Sequence, residues 1–334
     1  MEHGVIRSDL NENEIKPKDL LHAYVKQTTE DNIALFPASD LASISCPACN
    51  SQKKGQESLN CGMKYQDCAE CRTLYVSPRP SPAKVELFFR ESKARHYWFN
   101  QIWKRTSEHR KAKIIGPHLD WIQTFVEEYF PERKASVAEL QPSHWGLLEL
   151  ALERKAFSFF KVVDPLFPAA LCPVDSMKAN TLPYSISEKF DAICLMDALG
   201  RSHNPFRTLQ WANEHLNSGG LCLITTLLSS GFDLMTLGAR SESLIPPDHL
   251  NLFSFEGLQS LLSSSGFEII ELSTPGVLDL QNVQEALSTG NLEIPAFFRY
   301  ILETRKDPAL NQAFQDFLQT HRLSSQARVV LRKH

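Results

Sequence analysis

Phe190-Asp191-Ala192-Ile193-Cys194-Leu195-Met196, an amphipathic segment Pro205–Leu216, a stop at Ser218-Gly219-Gly220, and then Leu221-Cys222-Leu223-Ile224-Thr225-Thr226: this stretch settles the fold. Ala192–Met196 and Leu221–Leu227 are short, continuous apolar runs bounded by turn residues, as strands buried on both faces are. A helix-length crossover between two such strands demands parallel pairing.

The same grammar extends outward. Upstream, a short strand fits Ser136–Leu140, a helix His144–Arg154, and a second strand Phe157–Val163, ending at Asp164-Pro165. Downstream, a helix fits Phe255–Ser264, Gly266 caps it, and a strand follows at Phe267–Leu272. Residues 276–322 read as two or three helices, and Ala327–Leu331 as a last strand. A doubly wound α/β sheet with a C-terminal helical insertion is the expectation.

The N-terminal side is built differently. Residues 1–43 are mostly polar, with one weakly amphipathic piece at Leu20–Val25, and read as a flexible arm. Residues 44–82 hold five of the eight cysteines and little apolar density, so they need a metal or cross-links to fold. Residues 83–131 read as a helical linker, interrupted at Pro117 and ended at Pro131; the remaining unit is then 132–334, with the insertion inside it.

Cys46-Pro47-Ala48-Cys49 and Cys68-Ala69-Glu70-Cys71 are two C-x-x-C knuckles separated by eighteen residues. Four thiolates so spaced suit tetrahedral Zn2+ in a closed, structural site. A single such pair would leave redox chemistry open; two at this spacing favour Cys46, Cys49, Cys68 and Cys71 as metal ligands. Cys61 reads as a free thiol, and Cys172, Cys194 and Cys222 as small core hydrophobes.

In a chain of 334 residues, 43% hydrophobic and 22% charged residues are ordinary for a globular protein with a sizeable core. The start lacks the apolar stretch of a signal peptide, and no run is long enough to span a bilayer, so a cytoplasmic protein without membrane partners is expected. A net charge of −4 weighs against a nucleic-acid partner. Between Lys93 and Lys113, cations alternate with Trp98 and Trp103; stacking on bases is one reading, an amphipathic helix with solvated charges the other.

Several stretches resemble class I S-adenosylmethionine-dependent methyltransferases with an N-terminal zinc ribbon. They are the ribbon with Val76-Ser77-Pro78-Arg79-Pro80-Ser81, the run Phe190–Leu199 followed by Asn204-Pro205, the run Leu216–Thr226, Pro247-Asp248-His249-Leu250-Asn251-Leu252-Phe253-Ser254, and Leu323-Ser324-Ser325. The resemblance implies a Rossmann-like methyltransferase sheet behind a zinc ribbon and helical linker. It also implies S-adenosylmethionine as cofactor and a small-molecule acceptor, such as a sugar-linked intermediate. Glu139, Gln141, Ser143, Asp164 and Asp197 would hold the cofactor, and His249, Asp248 and His203 would do acid–base work.

Two departures from the family pattern matter. Its G-x-G-x-G loop is replaced by Gln141-Pro142-Ser143-His144-Trp145, so neither left-handed turns nor close backbone approach comes free. Its Glu-His after the fourth strand is replaced by Gly200-Arg201. A closed loop that binds nothing and a cofactor-binding loop therefore both stand, with Trp145 intruding on the cofactor's place. Asp248-His249 serves either catalysis or the shape of its loop. Three functions follow: a methyltransferase, a scaffold or binding subunit that has lost the cofactor, and an RNA-binding ribbon protein.

Overall fold

The computed structural model describes residues 5–172, 179–290 and 292–334. Its described N-terminal residues are no loose arm. Lys18–Leu35 forms a helix that buries Leu20, Leu21, Tyr24, Thr28 and Asn32 on one face. The sequence hides this because the buried stripe is half polar and closes only against other elements.

The knuckle region carries β1 (Leu41–Ala42), β2 (Lys54–Asn60), β3 (Met63–Cys68), β4 (Leu74–Val76) and β5 (Arg79–Pro80). β1 pairs with β5, and β2, β3 and β4 form an antiparallel meander. The main sheet follows with β6 (Ser136–Leu140), β7 (Phe159–Val163), β8 (Thr181–Leu182), β9 (Phe190–Met196) and β10 (Leu216–Leu227). β11 (Asn251–Leu252), β12 (Phe267–Ser273) and β13 (Gln326–Lys333) complete the set. The seven-stranded sheet has the order β12-β13-β10-β9-β6-β7-β8, while β11 leaves it to pair with β4 of the meander.

The pairs β10–β9, β9–β6, β6–β7 and β7–β8 are parallel, as the alternating pattern required. β13 is reversed between β10 and β12. The insertion sits at the carboxyl edge, where the Leu228 amide donates to the Ser325 carbonyl at 2.7 Å, so the chain re-enters the sheet from that edge and runs back down.

Each face of the sheet has its own core. On one, Val137, Ala192, Cys194, Leu221 and Leu223 pack under the helices Gly116–Tyr129 and Gly146–Arg154 together with Phe99 and Trp103. The segment from Pro82 to Tyr129 is therefore more than a bridge, because it supplies a layer. Pro117 does not interrupt it but starts the helix Gly116–Tyr129, where its missing N–H does no harm. On the other face, Ile193, Leu195, Cys222 and Ile224 meet Trp211, Leu258 and Leu261 as well as Cys46 and Cys68. The knuckles are thus part of this core. The insertion keeps a small core around Leu280, Val283, Leu302 and Leu318.

Candidate ligand crevice and four-cysteine centre

In an open parallel sheet, ligands bind at the carboxyl edge where the winding direction reverses. Here the chain goes from β6 outward through β7 and β8, then returns to β9 and continues to β10 on the other side, so the switch point lies between β6 and β9. Three residues close these strands with left-handed backbones: Gln141 (φ 49°), Asp164 (φ 48°) and Asp197 (φ 53°). Such conformations cost a side-chain-bearing residue on the order of 1–2 kcal/mol and concentrate where function or tight packing holds them.

The chain's own side chains line this edge. Gln141 Nε2 donates to Asp164 Oδ2 at 2.9 Å, and Arg90 donates to Asp164 Oδ1 at 3.0 Å. Arg201 Nη2 donates to the Met196 carbonyl at 2.8 Å and to the Gln141 carbonyl at 3.4 Å, bridging the ends of β9 and β6. Arg95 Nη2 donates to the Ser143 carbonyl at 2.8 Å. Glu139, on β6, is buried with Oε2 unpartnered; burial pushes its carboxyl up to about 8, against the pull of Arg201. Asp197 takes a hydrogen bond from Thr225 Oγ1 at 3.3 Å.

Trp145 does not intrude on the crevice. It stacks on Phe99 at 4.9 Å between centroids and is buried in the aromatic layer. Gly146 lets the start of its helix lie close against Ile115 and Trp103, because a Cβ there would be 2.5 Å from Ile115 Cδ1. A cavity of about 420 Å³ lies beside this layer, walled by Trp103, Lys104, Trp145, Gly146 and Glu149; Glu139, Asp164 and Asp197 do not line it. A nucleoside sulfonium cofactor needs a free acceptor for its ribose hydroxyls and an open switch point. Asp164 is engaged by Gln141 and Arg90 through one bond to each oxygen, and Arg201 lies across the strand ends, so the chain's own side chains occupy both positions.

The expected acid–base residues are not brought together as a unit. Asp248 accepts from Tyr24 Oη at 2.5 Å and from Arg95 Nη1 at 3.4 Å. His249 Nδ1 is buried without a partner, and burial pushes its imidazole down, so it stays neutral at pH 7. Its ring lies beside Gly200: a Cβ on that glycine would be 3.8 Å from His249 Cδ2 and 3.9 Å from Thr226 Oγ1. His203 sits at the seam with the knuckle region, its carbonyl accepting from Arg79 Nη1 at 3.0 Å. Arg79 is buried and also reaches the Val76 and Leu250 carbonyls and Asn251 Oδ1. Sequence reasoning missed Tyr24, Arg95 and Arg201 as crevice residues. The signal available was Gly200-Arg201 itself, a cation where the family pattern has an imidazole.

The four cysteines do converge. Cys46, Cys49, Cys68 and Cys71 bring their sulfurs within 4.8 Å of one another. Each knuckle is the same backbone turn: the Asn50 amide donates to Cys46 O and the Arg72 amide to Cys68 O, both at 2.9 Å, with left-handed Asn50 and Arg72 closing the loops. Cys46 and Cys71 touch at 3.5 Å, and that contact holds the Cys46 thiol up and draws Cys71 down to about 5. Sulfurs bound tetrahedrally at about 2.3 Å lie roughly 3.8 Å apart, so the set fits a Zn2+ ion. Thr73 ties the centre to the helix Phe255–Ser263, taking a hydrogen bond from the Ser254 amide at 3.3 Å.

A doubly wound sheet with its crevice at a switch point, backed by a four-thiol knuckle, defines the class of this molecule. The chain belongs to the methyltransferase-domain family, whose profile matches residues 85–272. No curated protein matches it. Among solved structures it is similar to a putative sarcosine dimethylglycine methyltransferase from Galdieria sulphuraria, at 13% identity over 70% of this chain and 89% of that one, with a TM-score of 0.41. It is also similar to the plantazolicin methyltransferase in complex with SAH, at 11% identity over 75% and 94% of the two chains, TM-score 0.44. A third is an S-adenosylmethionine dependent methyltransferase from Mesorhizobium loti, at 12% identity over 66% and 100%, TM-score 0.38. No residue role is carried over at such distances.

Proposed function

We propose that this chain is a methyltransferase-fold binding protein whose crevice is filled by its own side chains and which does not transfer methyl groups. The observation that carries the reading is Arg201, which spans from the Met196 carbonyl to the Gln141 carbonyl across the switch point. In this reading Cys46, Cys49, Cys68 and Cys71 hold a structural zinc ion that locks the knuckles to the sheet.

A second reading keeps the enzyme: an S-adenosylmethionine-dependent methyltransferase acting on a small-molecule or sugar-linked acceptor. Glu139, Gln141, Ser143, Asp164 and Asp197 would then border the cofactor, and His249, Asp248 and His203 the acceptor. Glu139 favours it, because a buried carboxyl oxygen without a partner at the end of β6 is a costly thing to keep for nothing. Against the nucleic-acid reading stand the basic residues between Lys93 and Lys113. Arg95 pairs with Asp248, Lys111 with Glu153 and Lys113 with Glu14, while Arg110 packs on Trp98 and Trp103. A cytoplasmic location without membrane partners is proposed too; among the described residues no helix is long and apolar enough to cross a membrane.

Calorimetric titration with S-adenosylmethionine and S-adenosylhomocysteine separates the two readings. The binding-protein reading expects no heat at millimolar ligand, and heat only in Gln141→Gly combined with Arg201→Ala. Binding by the unmodified chain would overturn it.

A further inference from the structure

The helix Lys18–Leu35 is fastened to the crevice by polar ties and not to the sheet. Tyr24 Oη donates to Asp248 Oδ2 at 2.5 Å. Asp248 Oδ1 accepts from Arg95 Nη1 at 3.4 Å, and Arg95 Nη2 donates to the Ser143 carbonyl at 2.8 Å, inside the loop after β6. Asp31 Oδ2 accepts from the Ala94 amide at 2.7 Å, fixing the start of the short helix that carries Arg95. Asn32 Nδ2 donates to the carbonyls of Cys61 and Pro246 at 2.9 Å, holding the segment just before Asp248. Asp31 and Asn32 follow Tyr24 by about two helical turns, which returns them to the same flank, so one docking event makes all three ties at once.

The geometry at the far end explains why Arg95 needs this support. Its guanidinium is packed over Phe89, Trp98 and Phe99 at 5.2, 5.0 and 5.2 Å, and its Nε has no partner. A buried cation with one unsatisfied donor stays in place only while its carboxylate is held against it. Asp248 is that carboxylate, and Tyr24 is what holds it. The apolar part of the dock, chiefly Leu20, Leu21 and Tyr24, meets Phe88, Phe89 and Leu250 in a cluster that draws nothing from β9 and only Leu227, the last residue, from β10. Lifting the helix therefore leaves the pairing of β9 with β10 in place.

We propose that the helix Lys18–Leu35 is a releasable latch on the crevice. Docked, it fixes Asp248 and through it Arg95 against the loop Gln141–Gly146. Released, it frees Arg95 to leave Ser143 and loosens the loop after β6, one wall of the crevice. This rests on the reading that the crevice is closed by its own side chains.

Hydrogen exchange on the full chain tests it, comparing the unmodified protein with Tyr24→Phe, which removes one hydroxyl and keeps the ring. Exchange in residues 141–149 and 246–250 should quicken roughly tenfold, the loss expected for one hydrogen bond to a charged group. β9 and β10 should be unchanged, as should the whole protein in Lys18→Ala, which breaks only the surface pair with Glu285. Should Tyr24→Phe fold poorly, Asp31→Ala removes the acceptor of the Ala94 tie instead and is expected to act the same way. Unaltered exchange at 141–149, or quickening spread evenly into β9 and β10, overturns the latch. The closed-crevice reading is judged apart: binding of S-adenosylhomocysteine by the unmodified chain overturns that reading whatever the exchange data show.

Discussion

Gln141 occupies a left-handed position that glycine would take without strain, and its φ of 49° shows that the backbone turn survived the change of residue. The long side chain then found a use, donating to Asp164 and offsetting part of the strain. Glu139, two residues earlier, makes a testable statement about pH. Its carboxyl titrates near 8 in the fold, because it is buried, and at roughly 4.3 in the unfolded chain. Between those values the unfolded chain has ionised and the folded one has not, so stability falls as pH rises, by up to about 1.4 kcal/mol per unit, and levels off above 8. Asp233, raised to about 7 by burial and by Asp279, adds a second slope that ends earlier. Glu139→Gln should remove the first slope and leave the second; urea midpoints from pH 5 to 9 measure it, and an unchanged profile would mean Glu139 is ionised in the fold. None of this was legible beforehand, since the sequence offers Glu139 as an acid at a strand end but cannot say that the fold buries it with an oxygen unpartnered.

At the scale of elements, the parallel core was legible because each strand is a short apolar run beside a turn signal. β6, β9 and β12 emerge within two residues of expectation, while the helix Phe255–Ser263 is capped at Ser264, and Gly266, left-handed at φ 77°, turns the chain into β12 two residues later. β8 and β11, two residues each, carry no periodicity and could not be read. The helix Lys18–Leu35 was missed for a related reason: Thr28 and Asn32 are buried on it, and a polar buried stripe looks like a solvated one. The knuckles were legible from spacing alone. Their proposed zinc makes a prediction: a strong chelator should release about one Zn2+ per chain and speed exchange across residues 46–76 first. Cys46→Ser should lower the melting temperature and release metal more readily, whereas Cys61→Ser, outside the four-sulfur cluster, should do neither.

For the whole molecule, the notable departure from expectation is how little separates its parts. Cys46 and Cys68 share a core with Leu195, Phe253 and Leu258, and Arg79 is stitched to both sides of the seam. Unfolding should accordingly be a single cooperative transition, with coincident curves from tryptophan fluorescence and far-ultraviolet dichroism. Two separated transitions would show that the knuckle region stands alone.

β11, lent by the large sheet domain, lies along β4 and finishes the meander. A gene trimmed at Pro82 to express the catalytic-looking part would strip that strand of its mate, and the excised meander would present bare amides and carbonyls along the same side. Both fragments would be apt to stick to copies of themselves, so a soluble minimal version of this protein must include the cysteines it might seem able to shed.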